Sequence, residues 1–172
     1  RSDEEPITPE NTNKPYGESP VSTAMGAYFN KKAYTDPTLR RKYTRMGFWV
    51  NIRLIRYPDV LLMAAESANE KGLMGEASGY LEQVRAHARG TLTNVLPKVE
   101  SLDQSVLREA IRHERRVELG LEPDRFYDLV RWGIAQEVLQ AAGKNYQPKN
   151  ALLPLPQTEI HKSNGVLVQN ND

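Results

Sequence analysis

The carboxylates Glu109, Glu114, Glu118, Asp124 and Asp128 crowd into one short stretch. Two carboxyl groups facing a scissile bond are the equipment of glycoside hydrolysis, one as general acid and the other as base or nucleophile. The acid of such a pair must keep its proton near neutrality. Arginines are threaded among all five groups, and a neighbouring guanidinium lowers a carboxyl pKa and holds the group ionised. That is the opposite of what an acid needs. Metal chemistry fares no better, because His87, His113 and His161 are far apart and His113-Glu114 lacks the second histidine four residues on that a zinc-binding helix requires. With no cysteine and no Gly-x-Ser-x-Gly elbow, a nucleophile is also missing. The expectation is therefore a protein without catalytic residue, metal or cofactor.

Sugar binding asks for other groups: an aromatic platform that stacks on the C-H face of a pyranose, with planar hydrogen-bonding side chains at its rim. Tyr28, Phe29, Tyr34, Phe48 and Trp49 lie in a loop-rich region, and Tyr28 and Trp49 are the candidates taken forward. Trp132, beside Arg131 in a helical pattern, is assigned to core packing or cation-π contact. Tyr57, Phe126 and Tyr127 are assigned to the core.

The densest charge lies from Leu107 to Gly133. Arg108, Arg112, Arg115 and Arg116 fall three or four residues apart, as do Glu114 and Glu118, and then Arg125, Asp128 and Arg131. Residues so spaced share a helix face and pair. Arginine without lysine over this run favours planar, bidentate contact with carboxylates. Val106, Leu107, Ala110, Ile111, Val117 and Leu119 form an apolar stripe through the same helix, so some of the arginines must lie beside a core. The reading is an ion-paired joint between helices.

The elements that position this joint follow from periodicity and stop signals. A helix begins near Pro58, with Asp59 at its positive end, and Val60, Leu61, Ala64, Ala65 and Ala68 line one face until Gly72. A second helix carries Ala77, Leu81, Val84 and Ala88, completing a hairpin. Ala65, Gly72, Ala77 and Leu81 match the tetratricopeptide pattern, of which this chain shows one unit. A lone repeat leaves a face without a mate. Residues 91 to 102 are a connecting loop, with Ser101 and Gln104 as a capping box and Gly120 ending the charged helix. Asp124 to Arg131 and Ile134 to Ala142 make a further pair of helices, bent at Gly133 and stopped by Gly143. From Tyr146 on, Pro148, Pro154 and Pro156 predict an extended tail anchored by Leu152, Leu153 and Leu155. Residues 1 to 50, with five prolines and no sustained period, read as loop and extended chain, and residues 51 to 172 as the helical region. The fold class is all-α, built on tetratricopeptide-like hairpins with irregular segments at both ends.

Composition narrows the function classes. The 172 residues carry 23 basic and 22 acidic groups for a net charge of +1, which gives no electrostatic case for nucleic acid. No stretch approaches the roughly 20 apolar residues of a membrane span.

Glu114-Arg115-Arg116-Val117-Glu118-Leu119-Gly120, followed by Asp124-Arg125-Phe126-Tyr127-Asp128-Leu129 and Arg131-Trp132-Gly133, resembles the C-terminal region of the SusD/RagB family of outer-membrane nutrient-binding lipoproteins of Bacteroidetes. Ile55 to Glu66, with its Arg56-Tyr57 and Ala65-Glu66, resembles a helix of the same family. Leu152 to Pro156 with Glu159-Ile160 and Asn164, closing on Leu167, Gln169 and Asn170, resembles its C-terminal signature, and Gly26 to Lys32 resembles a weaker motif. Pro123 stands where a typical member has glycine, and Pro58 replaces a small residue. The resemblance implies the C-terminal portion of a longer surface protein, attached by a lipid on a cysteine that this sequence does not contain. It implies capture of a nutrient, commonly an oligosaccharide, for a TonB-dependent SusC-type transporter. It also implies a tetratricopeptide-type scaffold. Within this chain Arg56, Glu66, Arg115, Arg116, Glu118, Arg125, Asp128 and Arg131 are read as a structural ion-pair network. The rival readings are a tetratricopeptide-like adaptor for peptides, which predicts more repeats near a period of 34 residues, and a carbohydrate-active enzyme, which predicts a carboxylate free of arginine.

Overall fold

The structure, a computed structural model, describes residues 53–170. The predicted irregular segment 1–50, Tyr28, Trp49 and the motif at Gly26 to Lys32 lie outside the described residues. Among those described, all regular structure is helical. The chain divides into two compact units, one ending at Leu121 and the other beginning at Glu122.

The first unit contains α1 (Tyr57–Glu70), α2 (Met74–Arg89) and α3 (Gln104–Glu118). α1 and α2 form the predicted hairpin. Gly72 turns it in the left-handed region at φ 76. Its N-H donates to Asn69 O (3.0 Å) while Leu73 N-H donates to Ala68 O (2.9 Å), which satisfies two carbonyls at the helix end. Glycine suits the position because a Cβ disfavours this φ. Ala65 and Ala77 are fully buried, so the small residues let the two helices approach closely.

The buried face of α1 is rotated from the expected one. Leu62 is fully buried, and Leu61, Ala65, Ala68 and Asn69 complete the face, whereas Val60 is exposed. An unbroken apolar run from Val60 to Ala65 has no polar residue to fix its phase, so packing alone decides it. Leu81 and Val84 of α2 and Leu107 and Ile111 of α3 close the same core. On α3, Val106 is exposed and Leu119, just past the helix end, is buried.

The start of α3 also differs from expectation. Asp103, not Ser101, is the N-cap: its Oδ1 accepts from Ser105 N (2.9 Å) and Val106 N (3.0 Å). Ser101 Oγ instead accepts from Asp103 N. Gln104 reaches α1, donating through Nε2 to Asn69 O (2.7 Å), and Asn69 Nδ2 donates back to Gln104 O (3.1 Å). This reciprocal amide pair ties the first turn of α3 to the last turn of α1. At the far end the helix stops at Glu118, and the left-handed residue is Leu121 (φ 64), not Gly120.

The second unit holds α4 (Asp124–Arg131), α5 (Ala135–Ala141), a 3-10 turn (Pro148–Ala151) and α6 (Gln157–Lys162). Gly133 (φ 72) bends the chain between α4 and α5 as predicted. Leu129, Ala135 and Tyr146 form the core, and Phe126 meets Tyr146 edge-on with centroids 6.3 Å apart. Tyr127 and, in the first unit, Tyr57 are exposed, contrary to their assignment to the core. The tail is not simply extended, because Pro148 stands in the first turn of the 3-10 helix and Pro156 just before α6. Both are places where a missing N-H costs no helical hydrogen bond. Leu152 and Leu153 are exposed, so they do not anchor the tail. Side-chain amides do that work: Leu155 N donates to Gln169 Oε1 (2.8 Å), Gln169 Nε2 donates to Leu155 O (3.0 Å), and Asn170 Nδ2 donates to Leu153 O (2.6 Å).

The rotated face of α1 gives a direct test. Leu62→Ala in the intact polypeptide should cost about 2–5 kcal/mol, and Val60→Ala less than about 0.5 kcal/mol, as expected for a surface position. Urea denaturation of the two variants measures both.

Candidate functional site

The arginines of α3 are the candidate site, and they act mostly between helices. Arg115 Nη1 donates to Asp59 Oδ1 of α1 at 2.8 Å. Glu114 accepts at Oε2 from Arg85 Nη1 of α2 at 2.7 Å, and Glu114 is 2% exposed. Arg56, just before α1, donates to Glu118 Oε1 (2.9 Å) and also to Glu118 O (3.0 Å). A cation placed on a terminal carbonyl complements the negative end of the α3 dipole. Arg108 forks onto Glu70 through Nε (2.6 Å) and Nη2 (2.7 Å). Each of these four contacts joins residues distant in sequence. The i,i+3 geometry also occurs, between Arg112 and Glu109 (3.1 Å) and between Arg131 and Asp128.

Two guanidiniums of α2 hold the loop that leads into α3. Arg85 Nη2 donates to Pro97 O (2.8 Å), and Arg89 donates through Nε and Nη2 to Leu96 O while pairing with Glu82 (2.9 Å). Leu96 sits at φ 48, a conformation that such anchoring holds in place.

In the second unit, Asp128 is buried and accepts at Oδ1 from Arg131 Nε and Nη2, both at 2.9 Å. Arg131 Cζ lies 4.9 Å and Arg125 Cζ 5.9 Å from the centre of the Trp132 ring. Cations at such distances are attracted by the ring quadrupole. Glu66 is half-buried on α1, and Arg116 is exposed on α3, where it makes no ion pair with another described residue.

Among the described residues, two carboxyls are held below their ordinary range. Hydrogen bonds from Arg108 hold Glu70 down, and the Ser105 hydroxyl, followed by the Val106 N-H, does the same for Asp103. Glu70 in turn raises the Arg108 guanidinium. Of the five carboxylates crowded on α3 and α4, Glu109, Glu114, Glu118 and Asp128 each lie within 3.1 Å of an arginine nitrogen. An open groove of about 400 Å³ on the outer side of α2, between Gly75, Gly79 and Ala86 and the loop residues Lys98 and Leu102, has no aromatic lining. It lacks the stacking surface that a sugar ring requires. Among the described residues no three acidic, histidine or cysteine side chains cluster to hold a metal.

Asp59, Glu70 and Arg85 were not singled out by reading charge pairs along one helix. A signal was present for one of the partnerships, Arg85 with Glu114. Arg85 follows Leu81 by four residues, and Glu114 follows Leu107 and Ile111 by seven and three. A charge in the apolar register of a helix must find a counter-charge on whatever packs there.

Breaking one partner of a buried pair should cost far more than replacing both. Arg115→Ala, which strands Asp59, is expected to destabilise by about 3–5 kcal/mol, and the double variant with Asp59→Ala to recover part of that loss. A double-mutant cycle by chemical denaturation reads the coupling. Glu70 binds protons less tightly when folded than when unfolded, so its contribution is complete above the unfolded carboxyl range and is lost as pH falls through the lowered folded value. Glu70→Gln should therefore flatten the acid limb of a plot of urea midpoint against pH.

Residues 5–172 match the model of the SusD family. The chain is 38% identical over 154 residues to SusD-like protein P25 of Formosa agariphila, covering 86% of this chain and 27% of that protein. It is 36% identical over 124 residues to SusD-like protein P2 of the same organism, covering 67% of this chain and 25% of the relative. The chain thus spans about a quarter of the length of these relatives. The crystal structure of a SusD homolog from Bacteroides thetaiotaomicron superposes with a TM-score of 0.61 at 28% identity, over 76% of this chain and 30% of that one. Matched over nearly its whole length, the chain belongs to the SusD family.

Proposed function

We infer that this chain is the helical scaffold portion of a surface-exposed, outer-membrane nutrient-binding protein. By this reading the whole protein captures a glycan without chemical change and passes it to a SusC-type, TonB-dependent transporter. It is held at the membrane by a lipid anchor on a cysteine, a residue absent from these 172. Family membership carries the proposal. The contacts of Glu109, Glu114, Glu118 and Asp128 with arginine support the non-enzymatic part, since they engage these groups within the fold.

Non-covalent capture raises the local concentration of ligand above the transporter, and a rigid helical body keeps the binding loops in a constant relation to one another. Aromatic side chains such as Tyr28 and Trp49 are the proposed stacking surfaces. The ion-paired arginines serve the scaffold and not the ligand.

The intact polypeptide should retain oligosaccharides on a glycan array and release no product from them in a parallel hydrolysis assay. Turnover of any bound glycan, or an array without a retained sugar, contradicts the proposal.

A further inference from the structure

Asn164-Gly165 is the one Asn-Gly step in the sequence, and it sits in the turn that follows α6. Both residues are exposed and left-handed, with φ 51 and φ 86. Open space surrounds the Gly165 backbone, where an added Cβ would meet nothing within 4 Å. Among the described residues the Asn164 side chain makes no hydrogen bond, and the Gly165 N-H has no acceptor, although the neighbouring amides of Asn164 and Val166 are both bonded.

Other asparagines are placed differently. Asn69 is buried and donates to Gln104 O, Asn150 accepts from Gln147 N, and Asn170 donates to Leu153 O. Asn94 and Asn145 precede Val95 and Tyr146, whose side chains shield the amide nitrogen. Only at residue 164 do an unrestrained carboxamide, an unhindered following nitrogen and exposure coincide among the described residues.

The geometry points to Asn164 as a site of spontaneous deamidation that releases the C-terminal clasp. The deprotonated Gly165 nitrogen attacks Asn164 Cγ, and an N-Cγ bond forms as the Cγ-Nδ2 bond breaks. The side-chain nitrogen leaves as ammonia, carrying the proton lost by the amide. Water then opens the five-membered imide at either carbonyl, giving aspartate or isoaspartate. One water is consumed and one ammonia released, and no oxidant or reductant takes part.

Isoaspartate lengthens the main chain by one methylene and adds a negative charge inside a turn closed by Leu167 N on Ser163 Oγ (2.9 Å) and Val166 N on Ser163 O (3.2 Å). Gln169, which clasps Leu155, follows directly on that turn. Losing the register of the turn loosens the clasp.

The test ages the intact polypeptide at mildly alkaline pH and maps peptides with isoaspartate-specific methylation, beside a synthetic peptide covering residues 160 to 168. Conversion should appear at residue 164 ahead of Asn94, Asn145, Asn150 and Asn170, rise with pH, and be lost in Asn164→Gln. The Leu155 and Leu167 amides should exchange faster with deuterium in the converted fraction. Conversion of the peptide while residue 164 of the folded protein keeps its amide, or conversion no faster than at the other asparagines, would overturn the assignment. Unchanged exchange at Leu155 and Leu167 in converted protein would refute the release of the clasp.

Discussion

An ionised carboxylate on the buried stripe of a helix has to meet a cation before that helix can pack. α3 carries this constraint in an acute form, since Glu114 and Arg115 share the face of Leu107 and Ile111 and are almost as inaccessible. The helix is admitted to the core only where α2 offers Arg85 and α1 offers Asp59. Apolar area alone would tolerate sliding of α3 along the hairpin; paired charges at 2.7 and 2.8 Å do not. Such pairs add little net stability over a well-packed apolar alternative, and their best-attested contribution is to register. The amide exchange between Asn69 and Gln104 and the capture of the Glu118 carbonyl by Arg56 fix the two ends of the same helix.

Glu114, Glu118 and Asp128 meet arginine, and Arg56, Arg85 and Arg115 meet protein acceptors. The pairs of Arg56 with Glu118, Arg85 with Glu114, Arg108 with Glu70 and Arg115 with Asp59 lie at the joints between α1, α2 and α3.

Much of the architecture was legible in the sequence, for identifiable reasons. Glycines with a unique conformational task, Gly72 and Gly133, marked their turns. Asp124 to Arg131 was read to its bounds because a proline before it and a glycine after it leave little latitude. The phase of α1 was misread because six consecutive apolar residues carry no periodicity. The α3 cap was misplaced by one motif, since Asp103 satisfies the same amides that a Ser101 capping box would have reached. Pairing along single helices hid the partners Asp59 and Glu70, because contacts between distant segments leave no spacing signature, while Arg85 was betrayed only by its place in the apolar register of α2. The tail was misread by taking proline as a breaker where it opens a helical turn.

Native-state hydrogen exchange on α3 tests the central claim most directly. If the inter-helix pairs make α3 part of one cooperative body with α1 and α2, the amides of Ile111, Glu114 and Arg115 should open together with those of Leu62 and Leu81, and Glu114→Gln should separate the two sets. Amides of α3 that already open independently in the unmodified protein, or that remain coupled to Leu62 after Glu114→Gln, would contradict the account.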